Sequence, residues 1–297
     1  VKRCAILAAL LLAGCASAPP VADSRAPAFA LLGDVPYSQP HANLLDGMIE
    51  RINRQSPAFV VHLGDITSGN GPCTDEWFEA RASQFARFAA PFVLLPGDNE
   101  WTDCHRTGFD PLERLGKIRR LFHSGTVALP EFARQSAARP EHVRWAWDGA
   151  VFVGLNVPGS NNNLGRTAEM DDEFASRMFA VSAWLREAEQ RAVAPKVRAL
   201  VVMMQANPDF EGRPRPDGMP DGYAGLRRSL VEIARRLGKP LIVAHGDSHG
   251  YKHDRPIEAV PNLIRIEVDG WPWLGWLRVA LPAGDAGSVS VERALHP

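Results

Sequence analysis

The sequence predicts an α/β fold of two β-sheets flanked by helices, and three observations predict it. Short apolar runs alternate with amphipathic stretches from Phe29 to Ala244, the pattern of successive βα units. Further apolar runs then follow one another without a helical stretch, a β-rich end. Four apolar runs stop at a Gly followed at once by an Asp: Gly33-Asp34, Gly64-Asp65, Gly97-Asp98 and Gly246-Asp247. Glycine permits the tight turn and leaves room beside the backbone. The Asp after it then stands at the carboxyl end of a strand, the edge where open α/β sheets bind ligands.

The elements follow in order. Phe29 to Gly33 is a strand leading to Asp34, and Ala42 to Arg54 a helix with Leu44, Leu45, Met48 and Ile52 on one face. Phe59 to Leu63 is a strand leading to Asp65. Thr74 and Asp75 open a helix whose stripe is Trp77, Phe78, Phe85 and Phe88. Phe92 to Leu95 leads to Asp98, and Pro111 to Phe122 is a shorter helix. Val143 to Trp147 and Val151 to Asn156 are strands joined by Asp148-Gly149, and Pro158 to Asn163 is a loop. Asp171 to Ala192 is a long amphipathic helix, and strand Ala199 to Met204 ends at Gln205. Asn207 to Gly222, rich in Pro, Gly and charge, is a mobile loop. Helix Leu226 to Leu237 precedes strand Leu241 to Ala244. The tail, Leu263 to Val268, Leu274 to Leu281 and Ser288 to Val291, reads as antiparallel strands.

The 297 residues, 45% hydrophobic and 23% charged, suffice for one large core and are marginal for two domains. The net charge of -1 provides no global field to recruit nucleic acid or an acidic membrane. Nothing in the sequence sets the oligomeric state. Lys2 and Arg3 followed by the apolar run Ala5 to Ala13, too short to span a bilayer, read as a secretory signal over residues 1–14. Its end, Leu12-Ala13-Gly14-Cys15, resembles a bacterial lipobox, which implies cleavage before Cys15 and lipid on its sulfur. The bland reading is an ordinary signal with an incidental Cys. Residues 15–27 are then a lipidated N-terminus and tether, and 28–297 a single domain. The expected location is the cell envelope, with the domain periplasmic and the membrane touched only through the lipid.

Cys73 and Cys104 remain in the mature domain, each after a Gly-Asp motif. An exported chain meets an oxidising compartment, so the pair is expected to form a disulfide clamping two loops of the crevice. Two metal thiolates are the alternative, but no third Cys or paired His stands at zinc-site spacing.

Four carboxylates around one crevice are untenable uncompensated and imply bound cations. In this order, at strand ends about one βα unit apart in the first half, the motifs resemble those of calcineurin-like metallophosphoesterases over most of residues 28–297. That resemblance implies a two-sheet β-sandwich flanked by helices, a two-metal site at the strand ends and a phosphate-ester substrate. It carries Asp34, the bridging Asp65, Asp98, Gln205 (or Asn207), Asp247 and His249 into ligand positions, and Asn99 into the position of the family's catalytic His. The departures are marked. Pro36 stands where a His ligand is expected, Asp98 where an Asn is, Asp247 where the first His of Gly-His-x-His is, and Gln205 in place of a lone His.

Oxygen ligands have therefore replaced most nitrogen ones. Four negative charges suit two divalent cations, Mn²⁺ or Mg²⁺, while His249 leaves Fe²⁺ open and the oxygen set leaves Ca²⁺ open. Asn99 donates a hydrogen bond but cannot give up a proton, so His105 is the nearest candidate acid, with Arg106 beside it as a phosphate clamp. Asn156, Asn161 and Asn162 are candidate substrate contacts, although Asn is also a routine loop residue. His62 and His245 read as packing or strand-end groups. Trp271, Trp273 and Trp276 read as core or sheet-edge packing, with an exposed aromatic patch as the alternative. Two function classes follow: a metal-dependent phosphoesterase using metal-activated water, or a metal- or phosphate-binding protein on a degenerate phosphoesterase scaffold.

Overall fold

The computed structural model describes residues 26–213, 218–282 and 288–295. The expected signal segment, Cys15 and nearly all of the tether lie outside the described residues. Strands β1 (Phe29–Leu32), β2 (Val60–His62) and β3 (Phe92–Leu94) pair in parallel, in that order. Helix α1 (Gln39–Arg54) connects the first two and α2 (Asp75–Phe85) the next two. The first three helices each start at a side-chain cap. The Ser38 hydroxyl accepts from His41 N–H ahead of α1, Thr74 accepts from Trp77 N–H ahead of α2, and the Asp110 carboxylate accepts from Glu113 N–H ahead of α3 (Pro111–Phe122).

A second sheet carries β4 (Ala133–Ser136), β5 (Arg139–Trp147), β6 (Ala150–Gly154), β7 (Ala199–Met203), β8 (Leu241–His245), β9 (Lys252–Asp254) and β10 (Leu263–Glu267). Its order is β4-β5-β6-β7-β8-β10-β9. A short turn, α4 (Gly159–Asn162), and the long helix α5 (Ala168–Ala192) lie between β6 and β7, and α6 (Ala224–Leu237) between β7 and β8. The last strands, β11 (Gly275–Ala280) and β12 (Ser290–Leu295), return to the first sheet in the order β12-β11-β1-β2-β3.

Four layers result. Phe29, Leu31, Phe59 and Val61 point into the gap between the sheets against Trp145, Phe152, Val201 and Ile266. The alternate residues Ala30, Leu32 and Val60 point outward under Leu45, Met48, Phe78 and Phe85. On the opposite side Val202 and Val243 pack beneath Trp184, Leu185, Leu230 and Ile233. This is the two-sheet sandwich flanked by helices that the sequence predicts.

Several local expectations are corrected. Leu44 points away from the core and is 50% exposed; His41, Ala42 and Ile49 complete the buried face of α1 instead. Phe88 is buried, but beyond the end of α2. The tail is not one antiparallel set. β10 runs parallel to β8 in the second sheet, whereas β11 runs antiparallel to β1 and β12 in the first. Local patterning shows a strand but not its partner, which long-range packing selects. The short edge strands β4 and β9 and the 3-10 turn Thr102–Thr107 carry no periodic apolar signal.

Buried imidazoles give this core an acid limit. Burial, outweighing the nearby Glu141 carboxylate, holds His123 well below the usual imidazole range, at about 3. The unfolded side chain binds a proton below about 6.5. Stability should therefore be lost as pH falls through 6.5 towards the folded value. Between pH 7.5 and 5, His123→Leu should gain about 2 kcal/mol relative to wild type. Urea unfolding at the two pH values reads it, and a gap independent of pH would contradict it.

Candidate active site

The three parallel strands of the first sheet end at Asp34, Asp65 and Asp98, and β8 of the second sheet ends at Asp247. Asp34, Asp65, Asp247 and His249 all adopt left-handed backbone, at φ 55°, 62°, 75° and 61°. Short polar residues tolerate this region best, and such strain collects at functional sites. The carboxylates approach neighbouring backbone so closely that two motif glycines are obligatory. A Cβ on Gly97 would strike Asp65 Oδ1, and one on Gly246 would strike Asp34 Oδ2. A third glycine, Gly159 in the α4 turn, lies where a Cβ would be 2.6 Å from both Asp98 Oδ1 and Asp247 Oδ1. Those two oxygens thus converge on one point from two different sheets.

The hydrogen bonds hold this arrangement. Asn99 donates to Asp65 twice, from N–H to Oδ1 (3.1 Å) and from Nδ2 to Oδ2 (2.8 Å). The Tyr37 hydroxyl donates to Asp65 Oδ2 (3.1 Å) and lies 2.9 Å from His249 Nε2. Asp34 accepts the Asp247 N–H and stands 3.6 Å from His249 Nε2. His249 is oriented through Nδ1 by the Trp271 carbonyl, 2.7 Å away. Glu100 accepts from the N–H groups of Asp65 (3.0 Å) and Gly97 (2.7 Å), tying the second motif to the third. Ser160 bridges Asp98 (2.7 Å) and Asp103 (2.8 Å) through its hydroxyl. Gln205 Oε1 accepts from Gly159 N–H, and its Nε2 faces Asp247 without a hydrogen bond of normal geometry.

Burial, reinforced by their mutual repulsion, raises Asp34, Asp65 and Asp98 well above the usual carboxylate range. Burial also raises Asp247, partly offset by the Asn207 N–H and by Gln205. Burial pushes Glu100 up to about 7 against four backbone N–H donors. The Tyr37 phenol is raised by burial and by the Asp65, Asp34 and Asp98 charges. A cation would relieve all of these at once. The donor set suits one: carboxylates, an amide and one imidazole, with Asp98 Oδ1 buried and lacking any hydrogen-bond partner. Among the described residues, no group of three or more His, Cys, Asp or Glu is gathered as a ready-made ligand set. The fit therefore rests on charge and donor type.

The structure brings Asp34, Asp65, Asp98, Asn99, Gln205, Asp247 and His249 together, but not every residue the sequence nominates. His105 is exposed; its Nδ1 lies against the Thr102 carbonyl and Arg166 and meets none of the four aspartates. Its place as the acid is withdrawn. Arg106 pairs with Asp103 (2.9 Å) and reaches within 3.4 Å of Ser160 Oγ, so it borders the Asp98 side. Asn156 is wholly buried, with Nδ2 3.3 Å from Glu141. Asn162 is buried as well and holds the Arg177 guanidinium and the Gly222 carbonyl. Both are structural rather than substrate contacts. Asn161 lines a cavity beside Asp247, but its amide hydrogens go to the Leu164 and Pro220 carbonyls.

The reason lies in the backbone: Ser160, Asn161, Asn162 and Asn163 all have positive φ, a left-handed turn that asparagine tolerates. Their side chains hold that turn, which in turn delivers Ser160 and Gly159 to the crevice. Sequence reasoning missed Tyr37, Ser160, Asp103 and Glu100. Only Glu100 had a usable signal, as the acidic residue closing Gly97-Asp98-Asn99-Glu100.

Comparison with known proteins agrees with this fold. The fold is shared with a dimetal phosphatase from Danio rerio (TM-score 0.56, 13% identity, 92% of this chain and 99% of that one). It is also shared with the purple acid phosphatase PPD1 of yellow lupin (TM-score 0.56, 14% identity, 92% of this chain), of which this chain spans about half, 52%. A third similar structure is GAP50, the anchor in the inner membrane complex of Plasmodium (TM-score 0.52, 12% identity, 91% and 84%). No curated protein sequence matches. The family model of the calcineurin-like phosphoesterases matches residues 28–251, about three quarters of the chain. That family generally works with a dimetal centre. The chain belongs to the calcineurin-like phosphoesterase family, hydrolases acting on phosphate esters.

Proposed function

We propose that the crevice hydrolyses a phosphate ester with two divalent cations, Mn²⁺ or Mg²⁺. The observation that carries this reading is the convergence of three buried aspartates and the half-buried Asp247 from two sheets, with Asp98 Oδ1 unpaired. Asp98, Asp247 and Gln205 would hold one cation and Asp34 and His249 the other, with Asp65 serving both. When bound, the cations supply an activated water and stabilise the oxygens of an in-line displacement. The protein's own groups do the rest. Asn99 and Tyr37 fix the Asp65 carboxylate, and Ser160 fixes Asp98. Arg106, beside Ser160, offers positive charge to the phosphoryl oxygens. Asn99 gives its Nδ2 hydrogens to Asp65 and the Thr67 carbonyl, so it orients rather than protonates.

One observation favours a second reading, a binding protein without turnover. Both oxygens of Asp65 already accept protein donors, including the Tyr37 phenol. Chelator-stripped protein decides between the two. Hydrolysis of an activated aryl phosphate should return with Mn²⁺ or Mg²⁺, and calorimetry should read their binding. Asn99→His should raise rates chiefly for esters with poor leaving groups. Cation binding with no hydrolysis in wild type or variant, with every divalent metal, would leave the binding reading standing.

We also propose export and lipid attachment at Cys15, supported by the basic pair, the apolar run and the lipobox-like Leu12-Ala13-Gly14-Cys15. Cys15→Ser should move the protein out of the membrane fraction; unchanged fractionation and processing would remove the proposal.

A further inference from the structure

Two of the exposed large apolar side chains, Trp271 (46% exposed) and Trp273 (58%), stand in a segment that borders Asp34 and His249. Trp276, by contrast, is buried as sheet packing. The segment is rigidly held. The Asp269 carboxylate takes both Nε (2.8 Å) and Nη2 (2.6 Å) of Arg293. Gly270 is pressed so closely on Asp34 and His249 that a Cβ there would lie 2.6 Å from each side chain. Trp271 N–H donates to the Asp34 carbonyl (3.3 Å), its own carbonyl fixes His249, and Trp273 N–H donates back to Gly270 (2.9 Å). The Trp271 indole stands edge-on to the His41 ring, centroids 5.1 Å apart, and His41 Nδ1 accepts the N–H of Tyr37. Trp271 is thus anchored through its backbone and its ring to Asp34, His249 and His41, Trp273 is held by its backbone, and large parts of both indoles face water.

We propose that Trp271 and Trp273 form a stacking platform beside the crevice, selecting phosphate esters whose leaving group carries a planar ring, such as a nucleoside. This rests on the phosphoesterase reading and names its substrate class. Pre-organised indoles bind a π-face at little entropic cost, and stacking tolerates many rings. A hydrocarbon leaving group is disfavoured by the other flank of the 247–249 turn. There a cavity of about 350 Å³ is walled chiefly by polar side chains, among them Asn161, Asn207, Arg213, Asp247 and Ser248, with Tyr223 the one aromatic wall among the described residues, and it suits hydroxyl groups better than an acyl chain.

The test is equilibrium binding to the full chain, followed by indole fluorescence and calorimetry, of adenosine 5′-monophosphate and glycerol 3-phosphate. Wild type should bind the ring-bearing ester roughly tenfold tighter, within the range stacking supplies. Trp273→Leu should erase most of that preference and leave glycerol 3-phosphate binding unchanged, while Trp271→Leu, whose residue also orients His249, should weaken the ring-bearing ester more than glycerol 3-phosphate. Where both esters turn over, Trp273→Leu should raise KM for the ring-bearing one with kcat unchanged. Equal binding of the two probes by wild type, or equal losses in the variants, would overturn the platform. So would variants that lose only adherence to anionic phospholipid vesicles while keeping the ring preference. Absence of hydrolysis with every divalent cation would sink the phosphoesterase reading, and the binding comparison would still decide the platform.

Discussion

Asp65→Asn should abolish both cation binding at the paired site and hydrolysis, while leaving the cation-free fold intact. The carboxylate supplies charge to both cations, whereas an amide supplies none. The hydrogen bonds sharpen this expectation. Asp65 Oδ1 accepts the Asn99 N–H, so an amide oxygen must stay there. The new NH₂ would then face two donors, Asn99 Nδ2 and the Tyr37 hydroxyl. The activity loss should exceed the roughly 10–100-fold typical of a group that only orients a ligand. Stabilisation by cation, about 2.7 kcal/mol at a concentration a hundred times Kd, should vanish with it. Without cation, relief of the burial and repulsion that strain the native carboxylate opposes the lost hydrogen bond from Asn99 Nδ2, so the variant should stay folded with thermal stability near that of wild type. Thermal melts with and without Mn²⁺, beside rate measurements, read all three effects. Metal-dependent hydrolysis within tenfold of wild type would dismiss Asp65 as a shared ligand.

Replacing Cys73 and Cys104 together by Ala should lower stability by about 3–4 kcal/mol in the chain-entropy account of the closed loop. The bridge spans a sequence separation of 31 and is buried. It also stands at the site. Both sulfurs lie against the Asn99 carbonyl, at 3.5 and 3.4 Å, and Asn99 in turn holds Asp65 and the Thr67 carbonyl. Opening the bridge should therefore cost activity as well as stability. Urea unfolding of oxidised, reduced and double-Ala protein measures the first, and turnover below the unfolding midpoint the second. Thiol titration of unfolded, unreduced protein should find neither cysteine free. Two reactive thiols there, with no stability difference on reduction, would remove the bridge from the account.

The strands that carry the motifs were legible because they are buried on both faces and read as unbroken apolar runs, Phe29–Leu32 and Leu241–His245 among them. Helix caps were legible for a similar local reason, as at Thr74. Leu44 misled because the apolar positions Leu44, Leu45, Met48 and Ile52 do not by themselves define which edge of the stripe meets the sheet. His105 misled because nearness in sequence to Asp98 does not survive the 3-10 turn that carries it to the surface. Asn156 and Asn162 misled because an amide near a motif looks the same whether it meets a substrate or, as here, a buried charge such as Glu141 or Arg177.

By itself the sequence determined four Gly-Asp strand ends, and hence an acidic crevice at the carboxyl edge of an α/β fold. Strand, turn and carboxylate are consecutive residues, so their relation is local and survives any packing of the rest. The family resemblance also implied the loss of most nitrogen ligands, since Pro36, Gln205 and Asp247 stand where histidines are expected. Only the tertiary structure decided what surrounds those carboxylates. Tyr37 reaches Asp65 and His249, the latter 212 positions away in the chain. Ser160 reaches Asp98 from a left-handed turn held by Arg177 on another element. Trp271 and Trp273 stand exposed because the segment bearing them is pinned to Asp34 and His249 rather than folded under a sheet. Contacts of this kind join residues remote in the chain, and their geometry is set by how the two sheets pack.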